Sequence, residues 1–365
     1  MMQLPIIRRA IQALCIFATI VQGRPAHAAS PALDVRHEQI AKAPDGTPIE
    51  SYTLTNARGL EVKIMSLGAT LTSVAFPDRR GKSASVTLPV GSPAEHLRDK
   101  SVAGSVVGRF ANRIADASFT IDGTEYALES NAGKHHIHGG SGGFQNLIWK
   151  AEPLREPTSV GVQLSLASPN AAGGYPGNLL VRVIYKVTSD NQLVIDYTAT
   201  TDKPTPVNLT NHAYWNLRGD PGAGVKEHVV TINADRYLAA DAQLIPTGEL
   251  TSVKSTPLDF TQPATIGQRL NDLPKKLYDH CLVLNRKPGD PLSLAAKVVD
   301  PETGRAMEVW TTQPGVQFYT GDPHAFCLET QHFPDSPHRD SFPSTLLRPG
   351  QTFHEQTIHR FAIEP

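Results

Sequence analysis

The chain has 365 residues, 40% of them hydrophobic and 19% charged, with a formal net charge of -1. That length allows a large buried core, as one big β domain or two ordinary ones. The near-neutral balance offers no electrostatic footprint for DNA or RNA, so no nucleic-acid partner is expected.

Residues 1–28 read as a signal peptide. Arg8 and Arg9 supply a positive start, and residues 10–21 form a short apolar stretch broken by Gln12. Ala26-His27-Ala28 then places small residues where a signal peptidase reads. The apolar stretch is too short for a stable bilayer span, so no lasting membrane anchor is expected; an uncleaved N-terminal anchor is the alternative. The mature chain, 29–365, is expected to be exported, periplasmic or secreted. It loses Cys15 and keeps Cys281 and Cys327.

From Ile49 onward strand follows strand. Segments 50–55, 60–66 and 70–76 alternate or run β-branched. Segments 118–122 and 125–128 flank Gly123-Thr124 as a hairpin, and 179–188 and 192–200 are long strands joined across Ser189-Asp190-Asn191. Later strands are expected at 228–232, 281–285, 293–299, 307–311 and 316–319, with a helical turn or two at 94–98 and 266–270. The 29 prolines and 28 glycines suit many short strands and tight turns. No linker, repeat or charge block divides the chain. The expectation is all-β, one large antiparallel domain.

Polar groups gather where strands meet turns. Asn112 and Arg113 share a turn before the hairpin. His135-His136-Ile137-His138 runs into Gly139-Gly140, glycines that allow close backbone approach to a ligand. Three histidines in four residues raise a metal site, but no Asp, Glu or Cys stands nearby at ligand spacing, so no metal is expected. Asn208, Asn211, His212, Tyr214, Trp215 and Asn216 put an aromatic wall beside amide and imidazole groups. That suits a sugar, whose C–H face stacks while its hydroxyls need paired polar partners. Each stretch alone reads equally as ordinary turn or core structure. Asp279 and Gln317 add a carboxylate and an amide in similar settings.

Residues 324–338 carry the decisive group. Phe326, Cys327 and Leu328 deliver Glu329 to the end of a buried strand, and Pro334 and Pro337 stop regular structure beyond it. Alternation puts Cys327 and Glu329 on one face. An inward carboxylate is costly without partners or a task; a structural Glu bonded to backbone N–H groups is the competing reading. Cys281 likewise shares a face with Asp279. Export permits a disulfide between the two cysteines, but two free buried thiols are the expectation, because their separation cannot be read from sequence.

In this order along the chain, these stretches resemble the aldose 1-epimerase (galactose mutarotase) family. The resemblance rests on Gly-Arg-Phe-Ala-Asn-Arg-Ile at 108–114, His-Gly-Gly at 138–140 and Asn-Leu-Thr-Asn-His at 208–212. It continues through Tyr-Asp-His at 278–280, Gln-Pro-Gly-Val-Gln-Phe-Tyr-Thr-Gly at 313–321, Phe-Cys-Leu-Glu-Thr-Gln at 326–331 and Leu-Arg-Pro-Gly at 347–350. It implies a galactose-mutarotase-like β-supersandwich and an enzyme that interconverts the α and β anomers of free aldohexoses such as glucose and galactose.

Carried over by position, the resemblance makes Glu329 the general base and His212 the general acid. Asn112, Arg113, His138, Asp279 and Gln317 would hold the sugar hydroxyls. Mutarotation needs one base for the anomeric hydroxyl and one acid for the ring oxygen, with no cofactor. The substrate is expected to be an unphosphorylated aldose, since Asp279 and Glu329 outnumber Arg113. Two rivals remain, a non-catalytic carbohydrate-binding protein and a glycoside hydrolase with two carboxylates. The oligomeric state stays open. One departure from the family is the short segment 322–325, where a longer loop is usual; it is expected to trim one wall near the pocket.

Overall fold

The computed structural model describes residues 33–99, 101–286 and 290–365. The expected signal peptide lies outside them. No helix among the described residues is long and apolar enough to cross a membrane.

Every strand ladder is antiparallel, and where strands adjacent in the chain pair, their short connections allow no other arrangement. A five-stranded meander takes Asp34–Lys42, Pro48–Thr55, Glu61–Met65, Thr70–Pro77 and Ser83–Ser85 in chain order. A nine-stranded sheet is built around Leu179–Thr188 and Gln192–Thr201. A second five-stranded sheet runs Pro246–Ser252, Arg236–Ala240, Asp279–Val283, Gly315–Tyr319, Cys327–Gln331. One apolar cluster draws on all three: Leu54 and Ile64 from the meander, Val183 and Ile195 from the large sheet, Val316 and Leu328 from the last. At about 25 cal/mol per Å² of apolar area removed from water, this shared cluster is the main force holding the sheets together.

The expected strands from Ile49 onward are present, within a few residues at their ends. The helical turns are present too, at Pro93–Asp99 and as a 3-10 helix at Ile266–Asp272. Six strands of four residues or more lie outside those expectations: Asp34–Lys42, Lys150–Glu156, Ser159–Ser168, Arg236–Ala240, Pro246–Ser252 and Phe353–Ile363. Lys150–Glu156 contains Pro153 and is an edge strand, the place where a missing N–H is tolerated. Phe353–Ile363 is the longest strand described and pairs on both sides, with Gln192–Thr201 and Arg305–Thr311. It therefore joins the early and late halves of the large sheet.

Candidate active site

The last five-stranded sheet lays out the site by register alone. Cys281, Gln317 and Glu329 sit opposite one another on three adjacent strands, and Asp279, Tyr319 and Cys327 form the next same-face row. Directly paired residues share a face, so these six side chains point one way. The alternate row, including Phe318 and Leu328, enters the apolar cluster. Glu329 is the third of five buried residues in Cys327–Gln331, mid-strand rather than at its end. Gln317 Nε2 donates to Asp279 Oδ1 at 2.6 Å, bracing the two rows diagonally.

His212 arrives from the opposite side. Thr210–Asn211 pairs with Val106–Val107, and His212 N–H donates to Ser105 O at 3.0 Å. The imidazole Nε2 then stands 3.5 Å from Glu329 Oε2, with Nδ1 at 3.6 Å from Cys327 Sγ. Tyr214 stacks on the ring at 5.2 Å, and His138 and Tyr319 meet it edge-on. The expected aromatic wall of Tyr214 and Trp215 therefore needs correction. Trp215 is 1% exposed and packs on His359 and Phe361; Tyr319 takes its place.

Asn112 and His138 brace each other. Both adopt left-handed backbone, φ 64 and 54. His138 N–H donates to Asn112 O at 3.1 Å, and Asn112 N–H donates to His138 Nδ1 at 3.1 Å. Asn112 Oδ1 accepts from Arg113 N–H at 2.9 Å, and Arg113 O accepts from Asp335 N–H. The glycines after His138 serve a different purpose from the one expected. A Cβ on Gly139, at φ 78, would strike Gly108 O, so this glycine lets two backbone segments close on each other, not a ligand.

His135 and His136 do not join His138. His135 Nδ1 accepts from Asp116 N–H and its Nε2 bonds Gln243 Oε1, while His136 pairs with Glu129 O and Tyr175 OH. His138, His212 and Glu329 instead bring ligand atoms within 4.8 Å of one another, which raises the metal question afresh. The chemistry of the donors answers it. His138 Nδ1 already accepts a backbone N–H, so its neutral ring must carry the proton on Nε2. That nitrogen is a hydrogen-bond donor aimed at the site, with no lone pair for an ion.

Burial sets the electrostatics. Glu329 is 2% exposed, its Oε2 accepts no hydrogen bond, and no structural role as a backbone acceptor is visible. Desolvation pushes its carboxyl up to about 8, with Asp279 adding to the shift and Arg113 opposing it. Desolvation lowers His212 to about 4 and holds His138 well below the usual histidine range. Proximity of opposite charges would favour both ionised forms; here burial outweighs it and favours both neutral forms. Both cysteines are free and buried, and burial raises each thiol. Their register explains the absence of a bond: Cys281 and Cys327 lie two strands and one row apart.

All seven residues singled out in the sequence reach this one region. Asn112, Arg113, Asp279 and Gln317 line a cavity of about 480 Å³, and the Gln317–Glu329 pairing links it to the His138–His212–Glu329 cluster. Cys327 and Tyr319, in contact with His212, gave no separate signal, although their place one row from Glu329 follows from strand alternation. The short segment 322–325 is held by Asn216 Nδ2 donating to His324 O.

Comparison with known proteins gives a consistent result. Residues 50–360 match the profile of a family described as aldose 1-epimerase. The human galactose mutarotase is 39% identical over 87% of this chain and 95% of its own. The aldose 1-epimerase of Escherichia coli K12 is 36% identical, covering 90% of this chain and 99% of its own. Among solved structures, galactose 1-epimerase from Lactobacillus acidophilus superposes with a TM-score of 0.81 at 26% identity, over 92% of this chain and 100% of the other.

Proposed function

The chain belongs to the aldose 1-epimerase family, and on that premise we propose that it interconverts the α and β anomers of free aldohexoses through Glu329 and His212. The observation that carries the role assignment is a buried carboxyl with a free Oε2 lying 3.5 Å from His212 Nε2.

At neutral pH the pair holds one proton in total, since Glu329 releases its own near 8 and His212 near 4. With the pocket empty that proton sits on Glu329. Moving it across to His212 creates the reactive form, a carboxylate beside an imidazolium. Glu329 then takes the proton from the anomeric hydroxyl while His212 Nε2–H protonates the ring oxygen, and the hemiacetal opens to an aldehyde. Rotation about C1–C2 and reclosure through the reverse transfers give the other anomer. The ring-opened state has a protonated Glu329 and a neutral His212, the arrangement burial favours. A raised base and a lowered acid thus strengthen the driving force for both transfers. His138 Nε2–H, fixed as a donor, steadies a sugar oxygen beside them; Asn112, Arg113, Asp279 and Gln317 hold the remaining hydroxyls.

The substrate in this reading is unphosphorylated. Arg113 and Lys275, the cations lining the cavity, are matched by Asp279 and Asp241 there, which leaves no excess positive charge to hold a phosphate, and Glu329 adds a further negative charge in the reactive form. Polarimetry on freshly dissolved α-glucose and α-galactose tests the activity, and rotation relaxing no faster than in buffer would refute it. We also propose export, on Arg8-Arg9, the apolar stretch and Ala26-His27-Ala28. N-terminal sequencing of protein from the native host should begin near Ala29; full-length cytoplasmic protein would refute it.

A further inference from the structure

Arg113 acts on Glu329 through its charge, yet among the described residues its guanidinium has a single hydrogen bond, to Asn112 Oδ1 at 3.4 Å. A long side chain with so little to hold it points where its backbone aims it. That backbone is gripped on both sides. Before it, Ala111 N–H donates to Asn208 O at 2.8 Å, and Asn208 Nδ2 donates to Ala111 O at 3.1 Å. The same side chain reaches His332, accepting its N–H at 2.9 Å and donating to its carbonyl at 3.3 Å. The Asn208 amide, expected beside a sugar, thus binds backbone at both ends. After Asn112, Asp335 N–H donates to Arg113 O at 2.8 Å, and Asp335 Oδ1 accepts from Ala115 N–H at 2.9 Å. His332 directly follows Cys327–Gln331, the strand that carries Glu329, and Asp335 lies just beyond it.

We propose that Asp335 is a positioning residue for Arg113: it locks the turn that carries the sugar-binding cation to the strand that carries the base, so both meet one substrate in fixed register. This rests on the mutarotase reading. Asp335 is buried and does not line the cavity, so it acts through the turn and not on the sugar. Its backbone is left-handed, φ 57, a conformation Asp tolerates better than most residues. Its Oδ1 also lies 2.7 Å from His338 Nδ1, and Arg339 Nε stands 3.4 Å from Oδ2, so the carboxylate is itself held in place. Hydrogen bonds to a carboxylate are the stronger, charge-assisted kind.

The placement of Arg113 has a readout of its own. Glu329 is faced by Asp279, Tyr319, Cys281 and Cys327 from its own sheet and by His138, His212 and Tyr214 opposite. Arg113 alone joins them from the clamped turn, and its charge lowers the Glu329 carboxyl. A turn that slips therefore raises the alkaline limb of the pH profile, as loss of Arg113 does. Removing the Asp335 charge would by itself move that limb down, so the sign separates the two effects.

The test is kcat, KM and the pH profile of glucose mutarotation for the parent, Asp335→Ala, Asp335→Asn and Ala115→Pro, with the alanine and proline changes also combined with Arg113→Met. Ala115→Pro deletes the donor that Asp335 holds without altering any charge. Ala115 opens the 3-10 turn Ala115–Ala117 after an extended Ile114, a place where proline fits. Asp335→Ala and Ala115→Pro are each expected to lower kcat/KM about tenfold, largely through KM, and to raise the alkaline limb. Added to Arg113→Met, either should cost less than about twofold more. Asp335→Asn keeps an acceptor for Ala115 N–H and should recover most of the loss. Full additivity with Arg113→Met, an alkaline limb that stays or falls, or a loss in Asp335→Asn as deep as in Asp335→Ala overturns the positioning role alone. If Asp335→Ala does not fold, Ala115→Pro and its combination decide. A parent without mutarotation overturns the activity and the positioning role together.

Discussion

The pH dependence of kcat/KM follows from the paired titration of Glu329 and His212. Activity requires one proton on the pair: below about 4 both groups are protonated and no base remains, and above about 8 both are deprotonated and no acid remains. The acid limb therefore belongs to His212 and the alkaline limb to Glu329, the reverse of the order their ordinary values would give. With limbs at about 4 and 8, about half of the enzyme is competent at pH 8. Ordinary values of ~4.3 and ~6.5 would leave only ~3% there. Polarimetric rates corrected for the uncatalysed reaction, taken from about pH 3 to 10, separate the two cases. The neighbours give a second, signed check. Asp279 raises Glu329 and Arg113 lowers it, so Asp279→Asn should move the alkaline limb down and Arg113→Met should move it up. A descending limb near 6.5, or a limb that rises in Asp279→Asn, would refute the reasoning.

Three further outcomes are expected. Glu329 binds its proton more tightly folded than at its ordinary value of 4.5, so its stability contribution is complete below that value and is lost as pH rises through about 8. Thermal melts of Glu329→Gln and the parent should thus agree near pH 4 and diverge in favour of the variant at pH 9; a constant offset would count against a buried, raised carboxyl. Cys327→Ala removes the only described side-chain partner of His212 Nδ1, and at about 1 kcal/mol for a hydrogen bond should lower kcat about fivefold with KM unchanged. Cys327→Ser should restore most of it, and equal losses in both variants would point to packing alone. Glucose 6-phosphate should be turned over far more slowly than glucose, and comparable kcat/KM values would remove the charge argument.

The site was more legible in the sequence than the fold that carries it. Glu329, Asp279 and Gln317 stand in strands whose two-residue alternation fixes which side chains share a face, so their convergence needed only correct strand order. His212 and His138 come from loops, where no period applies; their motifs marked them, not their patterning. Phe353–Ile363 escaped because polar residues stand on both of its faces, His354 and Arg360 on one and Glu355 and His359 on the other, within a run whose buried positions are irregular. Lys150–Glu156 escaped for a similar reason: it is an edge strand in which only Ala151 and Leu154 are partly buried, so no face is marked as apolar, and Pro153 argues against a strand at all. Ser159–Ser168 did carry a signal, with Val160, Val162 and Leu164 alternating inward. The pKa order of the catalytic pair had no sequence signature, because desolvation depends on how completely the folded chain closes over both groups.

Glu329→Gln gives the most direct test of the central assignment. The amide keeps the shape of the side chain and most of its hydrogen bonding but cannot take the anomeric proton. In a variant that is folded by circular dichroism and still binds glucose, polarimetric turnover should fall by roughly 10²–10⁴. Mutarotation at near the parent rate by that same folded, sugar-binding protein would contradict Glu329 as the base.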